Sequence, residues 1–337
     1  MISNHLGNHL RSSDQLREVF AILRCPRCRG PLVAAQPPAD GDRPIHCSNR
    51  DCKYADHGFP VISRQPVLID FDDSIFEEKE FLFRNGNSII PRDDAAARWT
   101  TRLSALMEGR NRVAERYCEK FIHDVKAQSD RPSVLVVGGG AIGSGAERIY
   151  SEPTLRVLGT DVYASPNTLV VADAHRLPFC DNSFDGVWIQ AVLEHVLNPD
   201  TVVAEIHRVL KPHGVVYADT PFMQQVHEGA YDFTRFTVSG HRWLFRKFEH
   251  TASGTVKGAG SALVWSIRYF VRALTGSGRI ASSVGLALFW LRYFDGLTRE
   301  RPNADAASAV FFYGRKSSSE VRPREIVDYY SRQASPV

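Results

Sequence analysis

The chain has 337 residues, of which 43% are hydrophobic and 23% are charged. This composition is that of a globular protein, and the length allows two or three domains. The formal net charge is only +3, which gives no general electrostatic basis for binding nucleic acid. The first residues, MISNHLGNHLRSSDQL, are polar and lack the apolar core of a secretory signal. We therefore expect a cytoplasmic protein whose cysteines stay reduced.

Four of the six cysteines lie in a short segment that follows a predicted amphipathic helix over residues 13–23. Cys25 and Cys28 form a CxxC pair, and Cys47 and Cys52 form a Cx4C pair. Structural Zn²⁺ sites take four thiolates from two such turns, and a segment this small needs a metal to fold. The spacing therefore predicts a Zn²⁺ site with these four ligands. We expect the ion to be structural, because four thiolates leave no open coordination position for catalysis.

Residues 24–70 resemble the Trm112-like zinc-ribbon family through CPRCRGPL, the second cysteine pair and FPVISRQPVLI. The resemblance implies a module with a structural or partner-binding role. Residues 71–130 are rich in charge, and we expect them to form a mainly helical connection to the next domain.

From residue 131 onward, predicted strands alternate with helices, which favours a parallel sheet covered on both faces. The fold class is therefore α/β, and the resemblance described below implies its Rossmann-like form. The seven predicted strands are Ser133–Val137, Arg156–Thr160, Leu169–Ala172, Phe184–Ile189, Gly214–Asp219, Thr251–Val256 and Ala309–Tyr313.

A glycine-rich turn, GGGAIGSG, follows the first of these strands. Gly138, Gly140 and Gly143 form GxGxxG, whose glycines let the backbone approach a ligand closely. Asp161 ends the second strand, where a carboxylate can accept hydrogen bonds from both hydroxyls of a ribose. Asp173 ends the third strand, within reach of an adenine amino group. The glycines alone suit NAD, FAD or S-adenosylmethionine (SAM) equally well.

The longer pattern over residues 131–222 resembles the class I methyltransferases of type 11. The resemblance is carried by GGGAIGSG, Asp161, Asp173-Ala174, LPFCDNSFDGVW, LEHV and RVLKPHGVVYADTPF. It implies a seven-stranded sheet and SAM as the cofactor. The roles that it implies are contact with the amino-acid portion of SAM for Gly138 and Gly140, with the ribose for Asp161, with the adenine for Asp173 and Ala174, and with the sulfonium for Gln190. Gly143, which is displaced by one position from the family pattern, is also a predicted cofactor-binding residue. Val136 stands where the family usually has an acidic residue.

Two histidines are candidates to take a proton from the methyl acceptor. His227 lies in the loop PFMQQVHEGAYDFTRFT after the fifth strand and is the preferred base, and His195 of LEHV is the second candidate. The same loop supplies the candidate substrate-binding residues Glu228, Tyr231, Asp232 and Arg235. Asp232 and Arg235 can instead pair with each other and fix the loop.

Residues 261–300 are apolar and carry arginines, and neither half reaches the length of an uninterrupted membrane span. They form either a helical hairpin that covers the active site or an interfacial hairpin at the inner face of the membrane. The predicted division is an N-terminal helix with a zinc ribbon over 1–70, a connector over 71–130, a methyltransferase domain over 131–260 and 301–317, the 261–300 insertion, and a polar tail over 318–337.

The predicted function is SAM-dependent methyl transfer to an oxygen or nitrogen of a small molecule, with a sugar or lipid-linked glycan as the first choice. One alternative is an NAD(P)-dependent oxidoreductase, which GxGxxG and Asp161 would also suit. A second is a non-catalytic methyltransferase-like partner protein, because Val136 replaces the usual acid. A third, a tRNA or protein methyltransferase, is suggested by the Trm112-like segment, but the small net charge argues against RNA.

Overall fold

The computed structural model describes residues 13–34, 44–88 and 110–333. The part of the predicted connector over 89–109 therefore lies outside the described residues. The α-helices of the described part are α1 (Ser13–Ile22), α2 (Glu78–Phe83), α3 (Arg112–Lys126), α4 (Glu147–Ser151), α5 (Pro199–Val209), α6 (Val238–Leu244), α7 (Ala259–Thr275), α8 (Gly278–Ala287), α9 (Glu300–Asp305) and α10 (Pro323–Gln333). The strands are β1 (Leu32–Ala34), β2 (Ile45–Cys47), β3 (Val61–Ile62), β4 (Gln65–Leu68), β5 (Ser133–Val137), β6 (Arg156–Asp161), β7 (Val170–Ala172), β8 (Phe184–Gln190), β9 (Leu210–Pro221), β10 (Phe248–Lys257) and β11 (Ala309–Lys316).

A nine-stranded sheet in the order β10-β11-β9-β8-β5-β6-β7-β4-β3 forms the centre of the described chain. Strands β5 to β11 are the seven predicted strands, and β5 to β9 pair in parallel, as the alternating pattern predicted. The five residues of β5 are all buried, as expected of a strand covered on both faces. The strand order reverses at β5, between β6 and β8, and open α/β sheets bind ligands at such a switch point.

The N-terminal segment extends this sheet and does not fold apart from it. Strand β4 pairs in parallel with β7, so that Val67 lies opposite Val171. The backbone amide of Arg24 donates to the carbonyl of Pro178 over 2.9 Å, and Leu23 forms a bridge to Phe179. The cysteine segment and one face of the sheet therefore share a single hydrophobic core.

The apolar segment folds as two helices, α7 and α8, followed by a 3₁₀ helix over Phe289–Gly296. Helix α7 supports the loop after β9, since the Tyr269 hydroxyl donates to the carbonyl of Val226 over 2.7 Å. Within the described residues, no helix combines the length and the apolar character needed to cross a bilayer. Large apolar side chains remain exposed on this segment, namely Leu263, Phe270, Leu274, Ile280, Trp290, Tyr293, Phe294 and Leu297.

The C-terminal region, predicted as a polar tail, contains a helix. Residues Pro323–Gln333 form α10, which contacts α6. The hydroxyls of Tyr329 and Ser253 are hydrogen-bonded, which joins this helix to β10.

His241 gives the protein a pH-dependent stability. Its ring is buried in α6 against Phe245, with no hydrogen-bond partner for Nε2 among the described residues, and burial lowers its pKa to about 3. The unfolded chain binds a proton near pH 6.5, so this contribution to stability is complete above pH 6.5 and falls as the pH drops towards 3. The slope is about 1.4 kcal/mol per pH unit.

We expect urea unfolding to show this slope as a difference between the protein and a His241→Leu variant. Between pH 6 and pH 4, the original protein should lose about 1.4 kcal/mol per pH unit more than the variant does. Equal losses in the two proteins would mean that His241 is protonated in the folded state.

Candidate active site

A cavity of about 390 Å³ opens at the carboxyl ends of β5, β6, β7 and β8. This is the edge at which the sequence placed the cofactor. The predicted site residues that line the cavity are Gly138, Gly143, Asp161, Asp173, Ala174, Gln190, His195, His227, Glu228 and Tyr231. Three residues of the predicted connector, Ile75, Phe76 and Ser88, also line the cavity, although nothing in the sequence associates the connector with the site. One cavity thus contains predicted cofactor-binding residues and both predicted catalytic histidines.

The glycine turn is shaped by close contacts with the loop after β8. Gly138 has a φ of +75°, and an added Cβ would lie 2.2 Å from a methyl group of Val192. A Cβ on Gly143 would lie 2.2 Å from Gln190 Oε1. Gly140 does not line the cavity, and its amide donates instead to Asp161 Oδ2 over 2.8 Å. Gly140 therefore helps to position the carboxylate of Asp161.

Asp161 stands at the end of β6 with its carboxylate at the cavity wall. Oδ1 accepts a hydrogen bond from the amide of Val162 over 2.7 Å, and Oδ2 accepts the one from Gly140. These two backbone amides fix the carboxylate in one orientation. A carboxylate at the end of β6, the second of the seven predicted strands, can accept hydrogen bonds from the two hydroxyls of a ribose.

Asp173 and Ala174 follow β7 and line the next part of the wall. Asp173 Oδ2 accepts from the hydroxyl of Ser74 over 2.6 Å, and Oδ1 accepts from the amide of His175 over 3.0 Å. Burial raises the pKa of Asp173, but the hydrogen bonds from His175 and Ser74 outweigh it and hold the pKa below its ordinary value. Both oxygens already have donors, so an adenine amino group would share them.

Gln190 ends β8 and links the strand to the glycine turn. Its Nε2 donates to the carbonyl of Ser144 over 3.2 Å, and its Oε1 accepts from Trp188 Nε1 over 3.2 Å. Val136, which stands where the resemblance implied an acid, is buried in β5. The polar groups beside the turn therefore include Gln190, the carboxylate of Asp161 and backbone carbonyls.

His195 and His227 meet at the other end of the cavity, with ring centroids 5.2 Å apart. His195 Nδ1 lies 2.8 Å from the carbonyl of Tyr231, and burial lowers the pKa of His195. Glu194, beside it, is 1% exposed, and burial raises its pKa to about 8. The LEHV motif supplied His195 as a candidate base, but nothing in it indicates that Glu194 is buried.

Asp232 and Arg235 pair with each other, and neither lines the cavity. Arg235 Nη2 donates to Asp232 Oδ2 over 2.8 Å, and Arg235 Nε donates to the carbonyl of Gln224 over 3.0 Å. Asp232 Oδ2 also accepts from the amide of His227 over 2.8 Å. The structure therefore favours the loop-fixing role over substrate binding, because these side chains hold His227 in place.

The four N-terminal cysteines converge on one point, with their sulfurs all within 4.8 Å of one another. Sγ of Cys28 lies 3.4 Å from that of Cys47, and Sγ of Cys25 lies 3.8 Å from that of Cys52. A tetrahedral site with Zn–S bonds of about 2.3 Å places its sulfurs about 3.8 Å apart. The arrangement therefore fits a tetrahedral thiolate site without a change of backbone.

Comparison with known proteins finds methyltransferases. The family model described as "Methyltransferase domain" matches residues 141–218. Over 128 residues, the chain is 30% identical to a demethylmenaquinone methyltransferase of Streptomyces avermitilis, a match that covers 37% of this chain and 55% of that enzyme. Over 69 residues, it is 41% identical to a ubiquinone/menaquinone biosynthesis C-methyltransferase of Saccharophagus degradans, covering 20% of this chain and 28% of that enzyme.

The chain thus spans about half of the first relative's length and less of the second's. Among solved structures, a phosphoethanolamine N-methyltransferase 2 of Haemonchus contortus in complex with SAM is similar over 59% of this chain and 53% of its own, with 19% identity and a TM-score of 0.38. The family match includes Asp161, Asp173, Gln190 and His195, and it ends before the loop that carries His227.

Proposed function

Since the chain carries a class I methyltransferase domain, we propose that it transfers a methyl group from SAM to an oxygen or nitrogen atom of a small-molecule acceptor. The observation that carries this proposal is the single cavity that joins the strand-edge carboxylates Asp161 and Asp173 to the histidines His195 and His227. A cofactor and an acceptor bound in that cavity would face each other. Such alignment is the main contribution that a protein makes to an in-line displacement.

The cofactor would lie along the carboxyl edge of the sheet. Its ribose would bind Asp161 and its adenine would lie near Asp173 and Ala174, as in the related family. Its ammonium group would bind the carbonyl of Ser144 or the side chain of Gln190, because Val136 offers no charge. Gly138 leaves room for the methionine portion beside the turn.

The acceptor would lie at the histidine end of the cavity. Burial lowers the pKa of His195, which favours the neutral ring, the form that can accept a proton. His227 lies in the loop fixed by Asp232 and Arg235, and its side chain is 24% exposed. Either histidine would take the proton that the acceptor atom loses when it gains the methyl group.

An apolar or lipid-linked acceptor fits best, in our proposal. Helix α7 contacts the loop of His227, and the same segment exposes large apolar side chains such as Phe270 and Leu274. This surface would contact a lipid at the bilayer face and lead its head group to the cavity. An assay with methyl-labelled SAM would compare lipid-linked sugars, free sugars and demethylated quinones as acceptors. The quinones are included because the names of the relatives refer to quinones.

We also propose that Cys25, Cys28, Cys47 and Cys52 bind one structural Zn²⁺. The support is the convergence of the four sulfurs. The ion would fix the turns that pack against Leu23 and Phe179. It would take no part in methyl transfer, because the four thiolates fill its coordination.

Titration of the purified protein with SAM, S-adenosylhomocysteine (SAH) and NAD tests the function. The proposal expects SAM and SAH to bind and NAD not to bind. Binding of NAD alone would favour the oxidoreductase alternative. Failure to bind any of the three would favour a non-catalytic partner protein.

A further inference from the structure

We propose that Glu194, His195 and His227 bind a divalent cation at the acceptor end of the cavity. Its open coordination positions would hold the oxygen of the acceptor. The choice of acceptor rests on the proposed methyl transfer, but cation binding is a separate property that can be measured without turnover. This cation site is distinct from the four-cysteine site.

The three side chains are spaced as ligands of one ion. Each offers one ligand atom, and these atoms lie within 4.8 Å of one another. Nitrogen and oxygen ligands about 2.1 Å from a tetrahedral ion lie about 3.4 Å apart. His195 Nε2 and Glu194 Oε1 are 3.6 Å apart, so this pair already has the required spacing. A small rotation of the third side chain, that of His227, would complete the site.

Glu194 is a buried side chain that a bound cation would stabilise. It is 1% exposed, and neither carboxylate oxygen has a hydrogen-bond partner within the described part of the chain. A buried polar group without a hydrogen-bond partner costs free energy, and buried carboxyl groups in proteins are normally hydrogen-bonded, paired with a cation or bound to a metal. A cation at this point would supply the missing partner.

Both histidines are oriented as metal ligands are. His195 Nδ1 lies 2.8 Å from the carbonyl of Tyr231, which can only accept, so Nδ1 carries the proton and Nε2 keeps its lone pair. His227 Nδ1 lies 3.2 Å from the carbonyl of Gln225, which leaves its Nε2 as the free nitrogen in the same way. Metal-binding histidines almost always donate their second nitrogen to a carbonyl or carboxylate. Two histidines and one glutamate are also a known catalytic ligand set with an open position.

The open position would face the acceptor, because His195 and His227 line the cavity. A cation lowers the pKa of a hydroxyl bound to it. The acceptor hydroxyl would lose its proton to solvent, and its oxygen would form a bond to the methyl carbon while the S–CH₃ bond of SAM breaks. The products would be the methyl ether and SAH. The histidines would then act as ligands, with proton removal made easier by the ion.

Mn²⁺ is the probe that tests this site separately from the cysteines. Thiolates bind Mn²⁺ poorly, whereas carboxylate and imidazole ligands can hold it. Titration of the full chain with Mn²⁺, followed by electron paramagnetic resonance, should show one bound ion per chain. Glu194→Gln and His227→Ala should each weaken binding at least about 10-fold, as the loss of a ligand costs no less than that of an outer partner.

His123→Ala is the matched control, because its side chain is 83% exposed and lies outside the cavity. It should bind Mn²⁺ as the original protein does. No Mn²⁺ binding by the original protein, or unchanged binding by both site variants, would overturn the cation site. SAH affinity of the same samples shows whether they are folded and separates the two proposals, since SAH can bind where Mn²⁺ does not.

Discussion

Replacing Asp161 with alanine should weaken SAH binding at least about 100-fold. The variant would lack the two hydrogen bonds that the carboxylate accepts from the ribose hydroxyls, and each hydrogen bond to a charged group contributes about 1.5–3 kcal/mol. The variant would also lose the acceptor for the amide of Gly140, which now lies 2.8 Å from Oδ2. Isothermal titration calorimetry at constant salt would measure both affinities.

Two further variants make this result specific. Asp161→Asn keeps an oxygen for Gly140 but loses the charge, so its affinity should fall between those of the original protein and Asp161→Ala. Asp130→Ala changes an exposed aspartate that does not line the cavity, and it should bind SAH normally. Equal SAH affinity in Asp161→Ala and the original protein would remove Asp161 from the cofactor site.

Loss of the N-terminal metal should have the second large effect. We expect Cys25→Ser to bind no Zn²⁺ at this site and to lower the melting temperature by about 10 °C or more, because a structural zinc site contributes on the order of 10 kcal/mol to folding. The effect should reach the methyltransferase domain, since Leu23 and Phe179 belong to one core. Metal analysis and a thermal melt of the same samples would measure it.

Cys180→Ser is the matched control for this change. Cys180 is a half-buried thiol that is not part of the four-cysteine group. This variant should keep one equivalent of Zn²⁺ and melt close to the original protein. A melting temperature of Cys25→Ser equal to that of the control would mean that the cysteine segment does not stabilise the fold.

The sequence predicted the central sheet because its signal is local. Strands such as β5, β7 and β8 are apolar runs between turns, and the boundaries of β5 were predicted to the residue. The ends of edge strands were predicted less well, and β10 begins at Phe248 where Thr251 was expected. Such ends depend on pairing with β11, which no local pattern records.

Contacts between distant segments could not be predicted in the same way. The pairing of β4 with β7 joins residues about a hundred positions apart, and so does the hydrogen bond from Ser74 to Asp173. GxGxxG likewise predicted a close turn, but it could not show that the amide of Gly140 donates to Asp161. The burial of Glu194 depends on the loop after β9, whose backbone amides at Phe233 and Thr234 donate to its carbonyl.

A crystal structure with bound SAH tests the central claim most directly. The account predicts the adenosyl group at the carboxyl edge of β5, β6 and β7, with its ribose hydroxyls on Asp161 and its sulfur turned towards His195 and His227. SAH bound elsewhere, or in this cavity with both aspartates out of contact, would contradict it.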